Sequence, residues 1–181
     1  MDHDDHVELI RGGVTDAGQV WADLGAGRGA FTLALADLLP EGSRIYAVDR
    51  DEAALHANAR EIRKQFPEAQ VTYLRGDFTG SLRLPGLDGI VMANSLHFQR
   101  DQPAALATVC ANLRPGGRLL ISDCYFPAQP RGDRESAATH HIFVDALGYC
   151  RLVTLSEELS LIEQAGLDVL HVEDLTAHYV L

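Results

Sequence analysis

Apolar residues along this chain fall into short runs, separated by longer stretches in which they recur every three or four positions. The runs are QVWADL (19–24), SRIYAVD (43–49), AQVTYLR (69–75), LDGIVMAN (87–94) and GRLLISDCY (117–125). Several carry β-branched or aromatic residues, and each predicts a strand. Between them Phe31, Leu35 and Leu38 form one helical stripe, Leu55, Ala59, Ile62 and Phe66 a second, and Leu106, Val109, Cys110 and Leu113 a third. Pro67, Pro115 and the pair Gly116-Gly117 stand where those helices must stop. Strands alternating with helices predict right-handed crossovers. The fold class is therefore α/β, a doubly wound, mostly parallel, Rossmann-like sheet with helices on both faces. Toward the end, VTLSEELSLIEQAGLDVLHVEDLTAH reads as a helix capped by Thr154 or Ser156 and ended by Gly166. A strand is expected after it, with His171 alternating with Val169 and Glu173. The opening DHVELIRGG has room for one helix over a ligand.

A length of 181 residues suits a single domain over 1–181, large enough for a core without disulfides. The formal net charge of −11 repels polyanions, so nucleic acid is not an expected partner. No apolar run is long enough to span a bilayer, and the N-terminus is acidic where a signal peptide would be basic. A cytoplasmic protein without a membrane partner is the expectation. Cys110, Cys124 and Cys150 have no metal-like spacing and read as reduced thiols, Cys110 in the core and Cys124 close to the site but packed. His3 and His6 lie among aspartates, and a mobile acidic terminus is expected there in preference to a metal site.

In a doubly wound sheet, ligands bind outside the carboxyl ends of the strands, so the residues just after each strand carry the chemistry. After the first comes Asp23-Leu24-Gly25-Ala26-Gly27-Arg28-Gly29-Ala30. Gly25, Gly27 and Ala30 satisfy a dinucleotide fingerprint, with Asp49 at a suitable distance for a ribose. The same residues also read as acid-x-Gly-x-Gly-x-Gly, in which Asp23 would repel a pyrophosphate and attract an ammonium group. Asp49 closes the second strand and can accept from both ribose hydroxyls, with Arg50 placed to lie against an adenine face. After the third strand, Asp77 and Phe78 suit an adenine, an element that a nicotinamide enzyme has no general need for. Asn94, Ser95 and Leu96 follow the fourth strand and offer polar contacts and an apolar wall.

DLGAGRG, AVDR, GDF, ANSLHF and LRPGG, in that order and at those spacings, resemble the class I S-adenosylmethionine-dependent methyltransferases of the small-molecule type. The resemblance covers residues 19 to 125 and more loosely the remainder. It implies the strand order 3-2-1-4-5-(7)-6, S-adenosyl-L-methionine as cofactor, and methyl transfer to a small-molecule acceptor by in-line displacement. It implies that Asp23 and the backbone of Gly25, Ala26, Gly27 and Gly29 face the methionine part of the cofactor. Asp49 would then lie at the ribose, Asp77 with Phe78 at the adenine, and Asn94 and Leu96 nearest the sulfonium. The glycines permit close backbone approach, and the helix beginning at Gly29 favours the ligand's carboxylate.

Three histidines are candidates for a general base. His97 follows the fourth strand, where it either takes a proton or only shapes the pocket. His140 and His141 lie in the segment 126–150, expected to cover the acceptor, unless they belong to a solvated helix face. An NAD(P)-dependent oxidoreductase, or a binding module without turnover, remains an alternative. The oxidoreductase reading lacks a Tyr-x-x-x-Lys pair, since the single lysine, Lys64, has Arg60 four residues before it. Only AHYVL remains after Thr176, so the last strand is expected to be short, missing or supplied from elsewhere. A homodimer through that edge is one way to complete it.

Overall fold

The computed structural model describes residues 1–14, 20–80, 82–123 and 153–173. Five strands form one parallel sheet: β1 (Val20–Leu24), β2 (Arg44–Asp49), β3 (Gln70–Arg75), β4 (Leu87–Ala93) and β5 (Leu113–Ser122), in the order β3-β2-β1-β4-β5. The chain builds outward from β1 to β3 and then returns to the other side of β1, so the topology reverses between β1 and β4. All five residues of β1 are buried, as a central strand covered on both faces requires.

Alternation along β1 divides the core. Trp21 faces α1 (His3–Arg11) and α2 (Ala30–Leu38), where it packs with Val7, Ile10, Phe31, Leu35 and Ile45. Val20, Ala22 and Leu24 face the other way, against Leu106 and Val109 of α4 (Gln102–Cys110) and Leu161 and Ile162 of α5 (Leu155–Gln164). The helix α3 (Glu52–Gln65) lies beside α2, its Leu55 packing on Ala47 of β2. At Gly89 a Cβ would come within 2.3 to 2.4 Å of the Trp21 ring, so β4 passes Trp21 only because residue 89 has no side chain.

The helix ends follow capping chemistry. Asp2 and Asp5 form a capping box on α1, Asp51 caps α3, Asp101 caps α4, and Thr154 with Glu157 forms a second box on α5. Of the two caps expected for α5, the structure uses Thr154.

Several local expectations change. Leu113 belongs to β5 and not to the third helical stripe, because β5 starts early and bulges: Leu87 pairs with Leu113, but Gly89 pairs with Arg118. Pro115 and Gly116 occupy that bulge, and the Arg114 guanidinium bonds Asp88 at 2.6 Å. His3 and His6 sit in an ordered helix, His3 bonded to Asp37 at 3.1 Å and His6 set edge-on against Phe31, so the terminus is not a loose tail. Cys110 is half-buried, and burial pushes its thiol up. The strand expected around His171 is absent from the described residues 167–173. Among the described residues no helix is long and apolar enough to cross a membrane. Cys124, Cys150, His140, His141 and the segment 126–150 lie outside the described residues.

Candidate functional site

The turn after β1 is shaped by two backbone contacts, Gly25 and Ala26 both donating to the carbonyl of Val48 at 2.9 Å. The chain then turns through positive φ at Gly25 (83°), Gly27 (49°) and Gly29 (99°) before α2 begins. A Cβ on Gly25 would lie 2.6 Å from that of Ser95, and one on Gly29 2.5 Å from the Asn58 amide. Side chains at either position are excluded by space as well as by conformation.

Asp23, next to last in β1, faces α2 and is only 2% exposed. The hydroxyl of Thr32 donates to its Oδ2 at 2.6 Å, and the amide of Asn58 donates to Thr32 Oγ1 at 2.9 Å. Burial pushes the Asp23 carboxyl up to about 7; the charge of Asp49 adds to this, while the bonds from Thr32 oppose it. Asp49 accepts from the backbone N–H of Gly27 at 2.7 Å and of Asp51 at 2.8 Å, so it braces the glycine loop from β2. Beyond β3, Asp77 accepts from Thr79 and pairs with Arg50 at 2.7 Å. Partial burial would raise its carboxyl, but Thr79 and Arg50 together hold it below the ordinary carboxylate range. Arg50 also reaches Gln99 at 3.4 Å, linking the loops after β2, β3 and β4.

After β4, Asn94 adopts a left-handed φ of 48°, which its short polar side chain tolerates, and its N–H donates to Ser122 at 2.7 Å. Ser95 presses against Gly25, its Oγ buried without a hydrogen-bond partner among the described residues. Leu96 and Phe78 are both buried in the core cluster that holds Leu24, so they support the loop from below. His97 lies in a short 3-10 turn, Leu96–Phe98. Its ring Nδ1 meets Asp123 Oδ1, and its backbone N–H donates to Asp123 Oδ2 at 3.1 Å.

The structure thus brings Asp23, Gly25, Ala26, Gly27, Gly29, Asp49, Arg50, Asp77, Asn94, Ser95 and His97 to one edge of the sheet. Sequence reading missed Thr32, Asn58, Gln99 and Asp123. Asp123 follows β5 and was open to the same strand-end rule; Thr32 and Asn58 lie inside helices and carry no local signal. A separate cleft of about 350 Å³ at the opposite edge, lined by Leu39, Pro40, Phe66 and Pro67 among others, gathers none of these groups.

Asp23, Asp49 and Asp77 stand at the ends of three neighbouring strands. Such a row repels a diphosphate and attracts a cation. The carboxylate set fits a ligand with an ammonium, a ribose and a base, and the Ser95 hydroxyl, without a partner among the described residues, lies beside Gly25.

Comparison with known proteins adds an independent line. A family model described as "Methyltransferase domain" matches residues 15–166. The release factor glutamine methyltransferase of Moorella thermoacetica is 41% identical over 100 residues, which is 55% of this chain and 34% of that protein. The carboxy-S-adenosyl-L-methionine synthase of Aliivibrio fischeri is 30% identical over 148 residues, 80% of this chain and 60% of its own length. The chain therefore spans between about a third and three-fifths of these curated relatives. Among solved structures, a Haemonchus contortus phosphoethanolamine N-methyltransferase in complex with S-adenosylhomocysteine superposes with a TM-score of 0.77. It is 17% identical, and the match covers 97% of this chain and 40% of that one. At that identity the likeness speaks for the fold alone.

Proposed function

The chain belongs to the class I S-adenosylmethionine-dependent methyltransferase family, and from that premise we propose that it transfers a methyl group to a small-molecule acceptor. The carrying observation is the row of Asp23, Asp49 and Asp77 around the glycine turn after β1. When bound, S-adenosylmethionine supplies a methyl already activated by a positive sulfonium, so the protein's work is to bind, align and exclude water.

In this reading Asp23 receives the ammonium and the N–H groups at Gly25 to Gly29 approach the methionine part. Asp49 receives the ribose hydroxyls, and Asp77 with Arg50 flanks the adenine. Ser95 and Asn94 line the side nearest the methyl. His97, with Asp123 on one ring nitrogen, is the general base for an acceptor that must lose a proton. The net charge of −11 favours a small acceptor over a nucleic acid. Identity of 30% over 148 residues with a carboxy-S-adenosyl-L-methionine synthase supports a second reading, in which the cofactor itself is modified. Mass spectrometry of the nucleoside recovered after incubation separates the two.

Calorimetric titration with S-adenosylhomocysteine, and with NADH in a parallel cell, tests the reading. Binding of the first alone is expected, with Asp49→Ala weakening it by about 2–3 kcal/mol through loss of charged hydrogen bonds. Binding of NADH alone would replace this reading with a dehydrogenase. Cofactor binding without turnover on any phenol, quinone or amine would indicate a binding module.

A further inference from the structure

Asp23, Thr32 and Asn58 form a buried polar chain across β1, α2 and α3. Asp23 is 2% exposed, and Thr32 and Asn58 are fully buried. Among the described residues no cation pairs with Asp23. A carboxyl desolvated in that way either keeps its proton or meets a cation from outside.

The direction of the chain is set by its members. Asn58 Nδ2 can only donate, so Thr32 Oγ1 accepts from it and directs its own hydrogen to Asp23 Oδ2. That bond favours the ionised carboxylate. The Asn58 amide lies against Gly29, where a Cβ would meet it at 2.5 Å, and its Oδ1 has no hydrogen-bond partner among the described residues. Among the described residues, the groups around Asp23 are Asp49 at the end of β2, which opposes ionisation, Val91 and Ala47 in register on β4 and β2, and the neutral Thr32 and Asn58. Burial thus favours the proton, while the two polar side chains keep its release within reach.

We propose, resting on the cofactor reading above, that Thr32 and Asn58 are positioning residues which make capture of the cofactor's ammonium at Asp23 a proton-exchange step. The Asp23 O–H bond breaks, its proton leaves to solvent, and the carboxylate pairs with the incoming ammonium, whose own protons are retained. Binding is then coupled to pH through one carboxyl group.

The test is titration with S-adenosylhomocysteine in two buffers of different ionisation enthalpy. Release of about nine-tenths of a proton per site near pH 6 and about half near pH 7 is expected, with none in Asp23→Asn. Thr32→Val should weaken affinity about tenfold near pH 6 and no more than about twofold near pH 8, if its hydrogen bond is worth about one pH unit. Thr32→Ser, which keeps the donor, should restore wild-type behaviour. Binding with equal heats in both buffers would overturn the proposal and leave the cofactor reading standing. So would an equal loss at both pH values in Thr32→Val, the mark of a merely structural role. Failure of the wild-type protein to bind at all would overturn both.

Discussion

His97 shows how a partner assigns a side chain its chemistry. An ionised carboxylate only accepts hydrogen bonds, so Asp123, taking both the backbone N–H and Nδ1 of His97, holds the ring in the Nδ1–H tautomer. Nε2 is then the nitrogen with a free lone pair, as a general base requires. If His97 takes a proton from the acceptor, His97→Ala should lower kcat by about 10²–10⁴-fold while changing S-adenosylhomocysteine affinity little. Comparison of kcat with a binding constant decides this, and equal losses in both would assign His97 to binding. The position of His97 was legible from the strand-end rule. That of Asp123 was open to the same rule, but their pairing was not, because 26 residues separate the two and only the pairing of β4 with β5 brings them together.

At the scale of elements, the seam between β1 and β4 lies beside the candidate site, since the topology reverses there. Trp21 and Gly89 are in register across that seam, and the indole covers the glycine. Gly89→Ala should therefore destabilise the fold by about 1–3 kcal/mol, the usual cost of overpacking, or more if the ring cannot move. Urea unfolding measures it, and an unchanged midpoint would show that the seam has slack. The strand expected around His171 illustrates the opposite case. Alternation signals a half-buried strand only where a neighbour supplies hydrogen bonds, and in the described segment Leu170 is 75% exposed. The bulge in β5 was likewise invisible, because Pro115 and Gly116 look like a helix stop until Arg114 is seen bonded to Asp88.

For the molecule as a whole, the carboxylates of the candidate site also shape its response to pH. Asp23 holds its proton up to about 7 in the folded chain, against an ordinary value of 3.8. A raised carboxyl contributes stability that is complete below the unfolded value and is lost as pH rises through the folded one. Between about pH 4 and 7 the protein without cofactor should lose up to about 4 kcal/mol from this group. Asp77 acts in the other direction and lower, its contribution present above the ordinary carboxylate range and lost as pH falls through its depressed value. Thermal unfolding of the cofactor-free protein should accordingly show Tm falling from pH 5 to pH 8. Asp23→Asn should flatten that fall, and an equal fall in the variant would place the titration elsewhere.

The alternation of apolar runs and helical stripes determined by itself that this chain forms a parallel, doubly wound sheet, since period and strand-end chemistry are local properties of neighbouring residues. The ordered strand-end motifs likewise carried the family, and the family-model match to residues 15–166 agrees. Tertiary structure alone decided which groups stand behind Asp23, which carboxylate holds His97, and why residue 89 has no side chain. Each of those depends on contacts between segments far apart in the chain, and nothing in a local pattern records which distant side chain will arrive.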